Sequence, residues 1–138
     1  MIRFEEFLSH GKVFRREKDL FLKESLIASA FERMLEVQKK NMSFSLQFEN
    51  SYESLRQLAD ALLAAEGYKT YSHEAAISFL YANRLIDEIE LEQINLCRKI
   101  RHDSKYYGKT IANLNQELLN VMQRIFKKIY QKLKQKPF

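Results

Sequence analysis

Residues 46–67 read LQFENSYESLRQLADALLAAEG, and this segment sets the architecture of the chain. Its apolar side chains recur at the spacing of one helix face. The residues on that face are Phe48, Tyr52, Leu55, Ala59 and Leu62. The spacing predicts an amphipathic helix over residues 46–66, and Gly67 follows where a helix C-terminus favours a left-handed residue.

Comparable patterns predict helices along the rest of the chain. Asp19 is a suitable N-cap for a long helix, and Ser72 is one for a short helix. The five predicted helices cover residues 19–40, 46–66, 73–81, 86–104 and 110–134, and a shorter one covers residues 3–9. Amphipathic helices with short connections indicate an all-α fold, an antiparallel four- to five-helix up-and-down bundle. Because no repeat or linker interrupts the pattern, we expect residues 1–138 to form one domain.

The same periodicity predicts which side chains of the other long helices face the core. In the first long helix they are Leu20, Ile27, Phe31 and Met34, with Leu26, Ala30 and Val37 beside them. In the helix at 86–104 they are Ile86, Ile89, Leu96, Cys97 and Ile100. In the last helix they are Ile111, Leu114, Leu118, Val121, Ile125, Ile129 and Leu133.

The composition is typical of a globular protein that needs neither disulfides nor a metal to fold. Apolar residues make up 46% and charged residues 30% of the 138 residues, a length that can bury a sizeable core. The single Cys97 has no partner in the chain, and no Cys/His cluster has the spacing of a zinc site. The sequence has neither a membrane-spanning apolar stretch nor a secretory signal. We therefore expect a cytoplasmic protein with no cofactor, no metal and no membrane contact.

Positive charge is concentrated at the C-terminal end of the chain. The formal net charge is +5, which suits an anionic partner such as RNA. From Leu118 onward there is no acidic residue, and the cations are Arg124, Lys127, Lys128, Lys132, Lys134 and Lys136. A basic final helix also complements the helix dipole and favours solvation, so this charge alone does not define a site.

A second basic segment, residues 97–108, reads CRKIRHDSKYYG and combines cations with aromatic residues. Its positive or titratable side chains stand at i, i+3, i+4 and i+7, so a helix places them on one face. These residues are Arg98, Arg101, His102 and Lys105, and Tyr106 and Tyr107 follow them. Guanidinium groups bind phosphates through paired hydrogen bonds, and tyrosine rings stack on bases. The segment predicts a site for RNA or nucleotide; the alternative is a solvated helix face whose arginines pair with glutamates.

Several segments in a fixed order resemble the HEPN superfamily of nucleotide- and RNA-associated helical bundles. The similar features are Tyr52, Ala61-Leu62-Leu63, Gly67-Tyr68, Ser72-His73, and the opening FEEFLSHGKVFRREKDL at residues 4–20. The similarity extends over about residues 3–107. It implies an arginine near the end of the next long helix, a position that Arg101 or Arg98 fills. It also implies a homodimer or a partnership with a small nucleotidyltransferase, often in a toxin–antitoxin system.

Ribonucleases of the HEPN superfamily carry an arginine, four to six further residues and then a histidine. The resemblance implies metal-independent RNA cleavage by such a pair. This chain departs from the pattern. Four residues separate Arg101 from Tyr106, so a tyrosine stands where a histidine is expected, and only three residues separate Arg98 from His102. A tyrosine with an ordinary pKa is a poor general base at neutral pH. We therefore expect a non-catalytic module that binds RNA or nucleotide. The alternatives are a metal-independent endoribonuclease using Arg101 and His102, and a helical protein–protein adaptor.

Overall fold

The computed structural model describes residues 3–39, 41–108 and 115–134, and most of this part of the chain is helical. Its helices are α1 Phe4–Ser9, α2 Leu20–Gln38, α3 Phe44–Glu66, α4 His73–Ala82, α5 Glu88–Tyr107 and α6 Gln116–Lys134. Two short strands, β1 Val13–Arg15 and β2 Tyr68–Thr70, complete the described elements. The prediction of a mainly helical, bundle-like fold is confirmed for these residues. None of the helices in the described ranges is long and apolar enough to cross a lipid bilayer.

Side-chain caps determine where the helices begin. The Asp19 carboxylate accepts a hydrogen bond from an amide in the first turn of α2, and the Ser72 hydroxyl does the same for α4, as predicted. Each cap satisfies an N–H group that has no partner within the helix. α3 begins at Phe44, two residues before the predicted start, because Ser43 caps it. α5 begins after Asp87, which forms a reciprocal capping box with the glutamate three residues later.

The two strands form an antiparallel ribbon that the sequence analysis did not predict. Its register places Val13 opposite Thr70 and Arg15 opposite Tyr68. The Thr70 hydroxyl also donates a hydrogen bond to the Lys12 carbonyl oxygen, at 2.6 Å. Strands of three residues are too short to show the alternation of apolar and polar residues that identifies a strand. The all-α prediction therefore missed this element.

Gly67 connects the end of α3 to the ribbon. Its φ of +88° is the left-handed conformation that the sequence predicted there. A Cβ at this position would lie 2.9 Å from the Arg16 carbonyl oxygen. The Arg16 amide in turn donates a hydrogen bond to the Gly67 carbonyl oxygen, at 3.0 Å. Glycine is therefore required both by the backbone conformation and by the close approach of the neighbouring chain.

α3 is the central helix of the core. It packs against α2, α4, α5 and α6 and also contacts β2. Its predicted apolar face is buried at Phe48, Tyr52, Leu55 and Ala59 and partly buried at Leu62. These side chains belong to one hydrophobic cluster to which all the described helices contribute. Residues 46–67 thus form the centre of the fold.

Three of the predicted core positions are wrong. Leu20, Ile89 and Leu96 are exposed. In α5, Leu91 and Ile94 are buried instead. Ile89 and Leu96 are seven residues apart, so they lie on a second apolar side of α5, and that side faces solvent. Leu20 is the first residue of α2, and the buried residues of that helix all come later.

The other predicted core faces are confirmed within the described residues. In α2, Ile27, Ala30, Met34 and Val37 are buried, and Leu26 and Phe31 are partly buried. In and before α5, Ile86 and Cys97 are buried, and Ile100 is partly buried. In α6, Val121, Ile125 and Ile129 are buried, and Leu118 and Leu133 are partly buried. Ile111, Leu114 and the predicted helix start at residue 110 lie outside the described residues.

Candidate functional site

A cleft of about 400 Å³ lies between α3, the N-terminus of α4 and the C-terminal half of α5. It is lined by Glu53, Ser72, His73, Glu74, Arg98, Arg101, His102 and Lys105. The structure therefore brings together all four side chains that were predicted to share one helix face. The predicted site residues Tyr106 and Tyr107 belong to the last turn of α5, but their side chains are outside the described part of the structure.

Arg101 is held against α3 by charge. Its Nε lies 3.6 Å from a Glu49 carboxylate oxygen, and its Nη2 lies 3.5 Å from a Glu53 carboxylate oxygen. The guanidinium carbon is 5.4 Å from the centroid of the Tyr52 ring, which is a cation–π distance. Both ion-pair distances are at or beyond the limit of a hydrogen bond, and the buried Nε has no hydrogen-bond partner among the described residues. The guanidinium group thus retains unused donor capacity.

Arg98 is held against α4 in a similar way. Its Nη2 lies 3.3 Å from a Glu74 carboxylate oxygen, and its Nε lies 3.5 Å from the Asn95 side-chain oxygen. Glu74 is in the first turn of α4, where a negative charge is favoured by the helix dipole. The two arginines, one helical turn apart on α5, therefore each reach a carboxylate on a different neighbouring helix.

Carboxylates balance the cations of the cleft. Arg98, Arg101 and Lys105 supply three positive charges, and Glu49, Glu53 and Glu74 are the three acids in contact with the two arginines or lining the cleft. The carboxylate side chains are between 34% and 48% exposed, so water already competes for them. Ion pairs of this kind contribute little to stability.

His73 forms a hydrogen-bonded and stacked pair with Tyr52. The phenol oxygen lies 2.8 Å from His73 Nδ1, and the two rings are parallel within 5° at a centroid distance of 5.8 Å. Burial, reinforced by the charges of nearby arginines, lowers the pKa of His73 to about 4. Burial also raises the pKa of Tyr52 well above its ordinary value. At neutral pH both groups are uncharged, and the direction of the hydrogen bond between the phenol and Nδ1 is set by the imidazole tautomer. His73 thus contributes an uncharged imidazole to the cleft lining.

Arg56 stabilises the segment that leads from β2 to the cleft. Its side chain is buried, with Nε 3.2 Å from an Asp60 carboxylate oxygen, and it donates a hydrogen bond to the Thr70 carbonyl oxygen at 3.2 Å. Burial raises the pKa of Asp60 despite this contact. The Arg56 charge also contributes to the lowered pKa of His73. Arg56 therefore fixes the end of β2 against α3 and makes the potential near His73 more positive.

Other site chemistries have little support in the described residues. No group of three or more His, Cys, Asp or Glu side chains in these ranges could hold a metal ion. Cys97 is buried, and burial raises the pKa of its thiol to about 12, so it is not a nucleophile at neutral pH. The cleft offers hydrogen-bond donors and cationic side chains, and its two arginines are paired with carboxylates.

Only the α5 wall of this cleft was predicted from the sequence. His73, Glu74 and Glu53 come from α3 and α4, between 24 and 48 residues before Arg98 and Arg101. His73 stands directly after the N-cap Ser72, which predicts a first-turn position but not its neighbours, and the Ser72-His73 pair is also one of the features that resemble the HEPN superfamily. Comparisons of the chain with protein-family models, with curated proteins and with solved structures give no match.

Proposed function

We propose that the chain is a non-catalytic HEPN-like module that binds RNA or a nucleotide by its phosphate groups in the cleft between α3, α4 and α5. In this proposal the long helices form an antiparallel up-and-down bundle. The protein acts as a homodimer or with a small nucleotidyltransferase, in a toxin–antitoxin-type system. The binding of phosphate is the central claim, because the other features follow from the family resemblance.

The observation that supports phosphate binding is the convergence of Arg98, Arg101 and the neutral His73 in one cleft. Guanidinium groups form paired, charge-assisted hydrogen bonds with phosphate oxygens, and these strengthen where water is partly excluded. The neutral imidazole lies in the same cleft without repelling the arginines. His102 and Lys105 line the same cleft and add donors at its α5 side.

Binding proceeds by exchange of carboxylate for phosphate. Glu53 and Glu74 have partly exposed side chains that can turn into water without leaving a buried charge. A phosphate group then receives the guanidinium hydrogen bonds that the long ion pairs leave incomplete. The resting ion pairs keep the arginines in position, so less conformational entropy is lost on binding.

One observation favours a second candidate, a metal-independent endoribonuclease, because His102 lines the same cleft as Arg101. In that reaction Arg101 stabilises the charge that develops on the phosphate, and His102 moves the proton of a ribose 2′-hydroxyl. RNA cleavage without added metal, lost in both Arg101→Ala and His102→Ala, would support it. Cleavage that persists in the double variant would exclude these residues.

Binding of labelled RNA tests the proposal. Arg98→Ala/Arg101→Ala should weaken binding by at least about tenfold, since hydrogen bonds to charged groups contribute about 1.5–3 kcal/mol each. The matched control, Lys18→Ala/Lys99→Ala, removes two charges at exposed positions outside the cleft and should change the affinity by no more than about twofold. Circular dichroism checks that both variants are folded. Equal losses in the two variants, or no loss in the arginine variant, would contradict phosphate binding in this cleft.

A further inference from the structure

Two exposed aromatic rings lie together on the outward side of the β1–β2 ribbon. Phe14 is 49% exposed and Tyr71, directly after β2, is 74% exposed. Their ring centroids are 6.2 Å apart in an edge arrangement. Lys69 lies opposite Phe14 in the ribbon, and its Nζ is 5.0 Å from the centroid of the Tyr71 ring. Phe14, Lys69 and Tyr71 therefore form one surface, the ribbon platform.

The ribbon platform is next to the cleft. Tyr71 is followed directly by Ser72 and His73, which line the cleft, so the Cα atoms of Tyr71 and His73 are at most about 7.6 Å apart. The backbone between them is well anchored, because the Thr70 side chain accepts a hydrogen bond from the Ser72 amide at 3.0 Å. The Arg56 guanidinium also holds the Thr70 carbonyl oxygen. Tyr71 therefore stands on an anchored backbone segment that leads directly into the cleft lining.

We propose that the ribbon platform stacks on an unpaired base of an RNA strand whose phosphates occupy the cleft. This inference rests on the proposed function and narrows its ligand to single-stranded RNA. Exposed aromatic rings stack on bases of any sequence, and neighbouring cations attract the backbone that links them. In a duplex the bases are already stacked on one another, so the rings have no base face to contact.

The composition of the ribbon platform favours RNA over a protein partner. Lysine is depleted at the centre of protein–protein interfaces, yet Lys69 lies on β2 opposite Phe14, with its ammonium group against the Tyr71 ring. Beside a strand of RNA, the same ammonium group is close to phosphates while the rings contact bases. Arg98 and Arg101 line the cleft into which this segment leads.

Three probes separate stacking from phosphate binding: a labelled oligoadenylate, the same strand annealed to oligouridylate, and inorganic tripolyphosphate. The variant Phe14→Ala/Tyr71→Ala removes both rings without touching the core, since both are exposed. The matched control is Phe21→Ala, which removes an 84% exposed ring at the start of α2. Affinity for each probe is measured by titration calorimetry on the full chain.

We expect the double variant to bind single-stranded oligoadenylate about tenfold more weakly and to bind tripolyphosphate and the duplex as the parent protein does. Phe21→Ala should leave all three affinities unchanged. An equal loss for tripolyphosphate or for the duplex would overturn the stacking inference. Unchanged oligoadenylate affinity in the double variant would also overturn it. The proposed function survives that result if Arg98→Ala/Arg101→Ala still weakens binding. If the arginine variant also binds normally, both the proposed function and this inference fail.

Discussion

The Tyr52–His73 pair shows how a single buried contact determines what a cleft residue can do. Alone, a histidine in the first turn of a helix could carry a proton at mildly acidic pH. Here burial and the charges of Arg56, Arg101 and Arg98 lower the pKa and keep the ring neutral, while Nδ1 shares a 2.8 Å hydrogen bond with the Tyr52 hydroxyl. His73 is thereby kept uncharged at neutral pH.

The pH dependence of stability should reveal this residue. Its folded-state pKa of about 4 lies below the ordinary 6.5, so the neutral form is favoured by folding. The contribution is complete above about pH 6.5 and is lost as the pH falls toward about 4, because the unfolded chain takes up the proton first. Urea denaturation measures the unfolding free energy that each protein loses between about pH 6.5 and pH 4. This loss should be smaller in His73→Gln than in the parent protein, by about 1–2 kcal/mol after solvent screening. If the unfolding free energies of the two proteins change in parallel with pH, the lowered pKa of His73 is contradicted.

At the scale of secondary-structure elements, sequence patterns predicted the features that depend on residues close in the sequence. The caps Asp19 and Ser72 and the left-handed Gly67 act within one helical turn, and the structure places all three as predicted. The ribbon joins segments more than fifty residues apart, and its strands are too short to be visible in the sequence. The exposed side of α5 was misassigned because Ile89 and Leu96 also recur at helical spacing.

The junction at Gly67 gives a direct test of how α3 and the ribbon are joined. Gly67→Ala should lower the free energy of unfolding by about 2 kcal/mol or more, because a left-handed alanine and a close contact with the Arg16 carbonyl oxygen both destabilise the fold. Gly11→Ala is the matched control. Its φ is +73°, but a Cβ there meets nothing within 4 Å, so only about 1–2 kcal/mol of backbone strain is expected. Equal effects in thermal or urea denaturation would show that the contact at Gly67 is unimportant.

For the whole molecule, the positions of the charged side chains determine the candidate site more than the net charge does. The sequence predicted an anionic partner from a net charge of +5 and placed cations both on α5 and on the last helix. It could not predict which carboxylates meet them, because Glu53 and Glu74 reach the cleft only through the packing of α3 and α4 on α5. On α6, Lys128 pairs with the buried Glu90, and Lys134 pairs with Glu24.

Charge reversal on α6 should separate its structural role from RNA binding. Lys128→Glu should lower the free energy of unfolding by about 2 kcal/mol, because it places a second carboxylate beside buried Glu90. Arg124→Glu/Lys132→Glu changes exposed positions and should alter stability by no more than about 0.5 kcal/mol. Its RNA affinity should fall much less than that of the arginine variant of the cleft. A larger loss than in that variant would place the RNA on α6.

The salt dependence of RNA binding tests the central claim most directly. The logarithm of the binding constant for single-stranded RNA should fall linearly with the logarithm of salt concentration, by about 0.7 for each phosphate neutralised. If Arg98 and Arg101 each hold a phosphate, Arg98→Ala/Arg101→Ala should reduce the slope by about 1.4, while Lys18→Ala/Lys99→Ala keeps the original slope. Identical slopes for the parent protein and the arginine variant would contradict phosphate binding in the cleft.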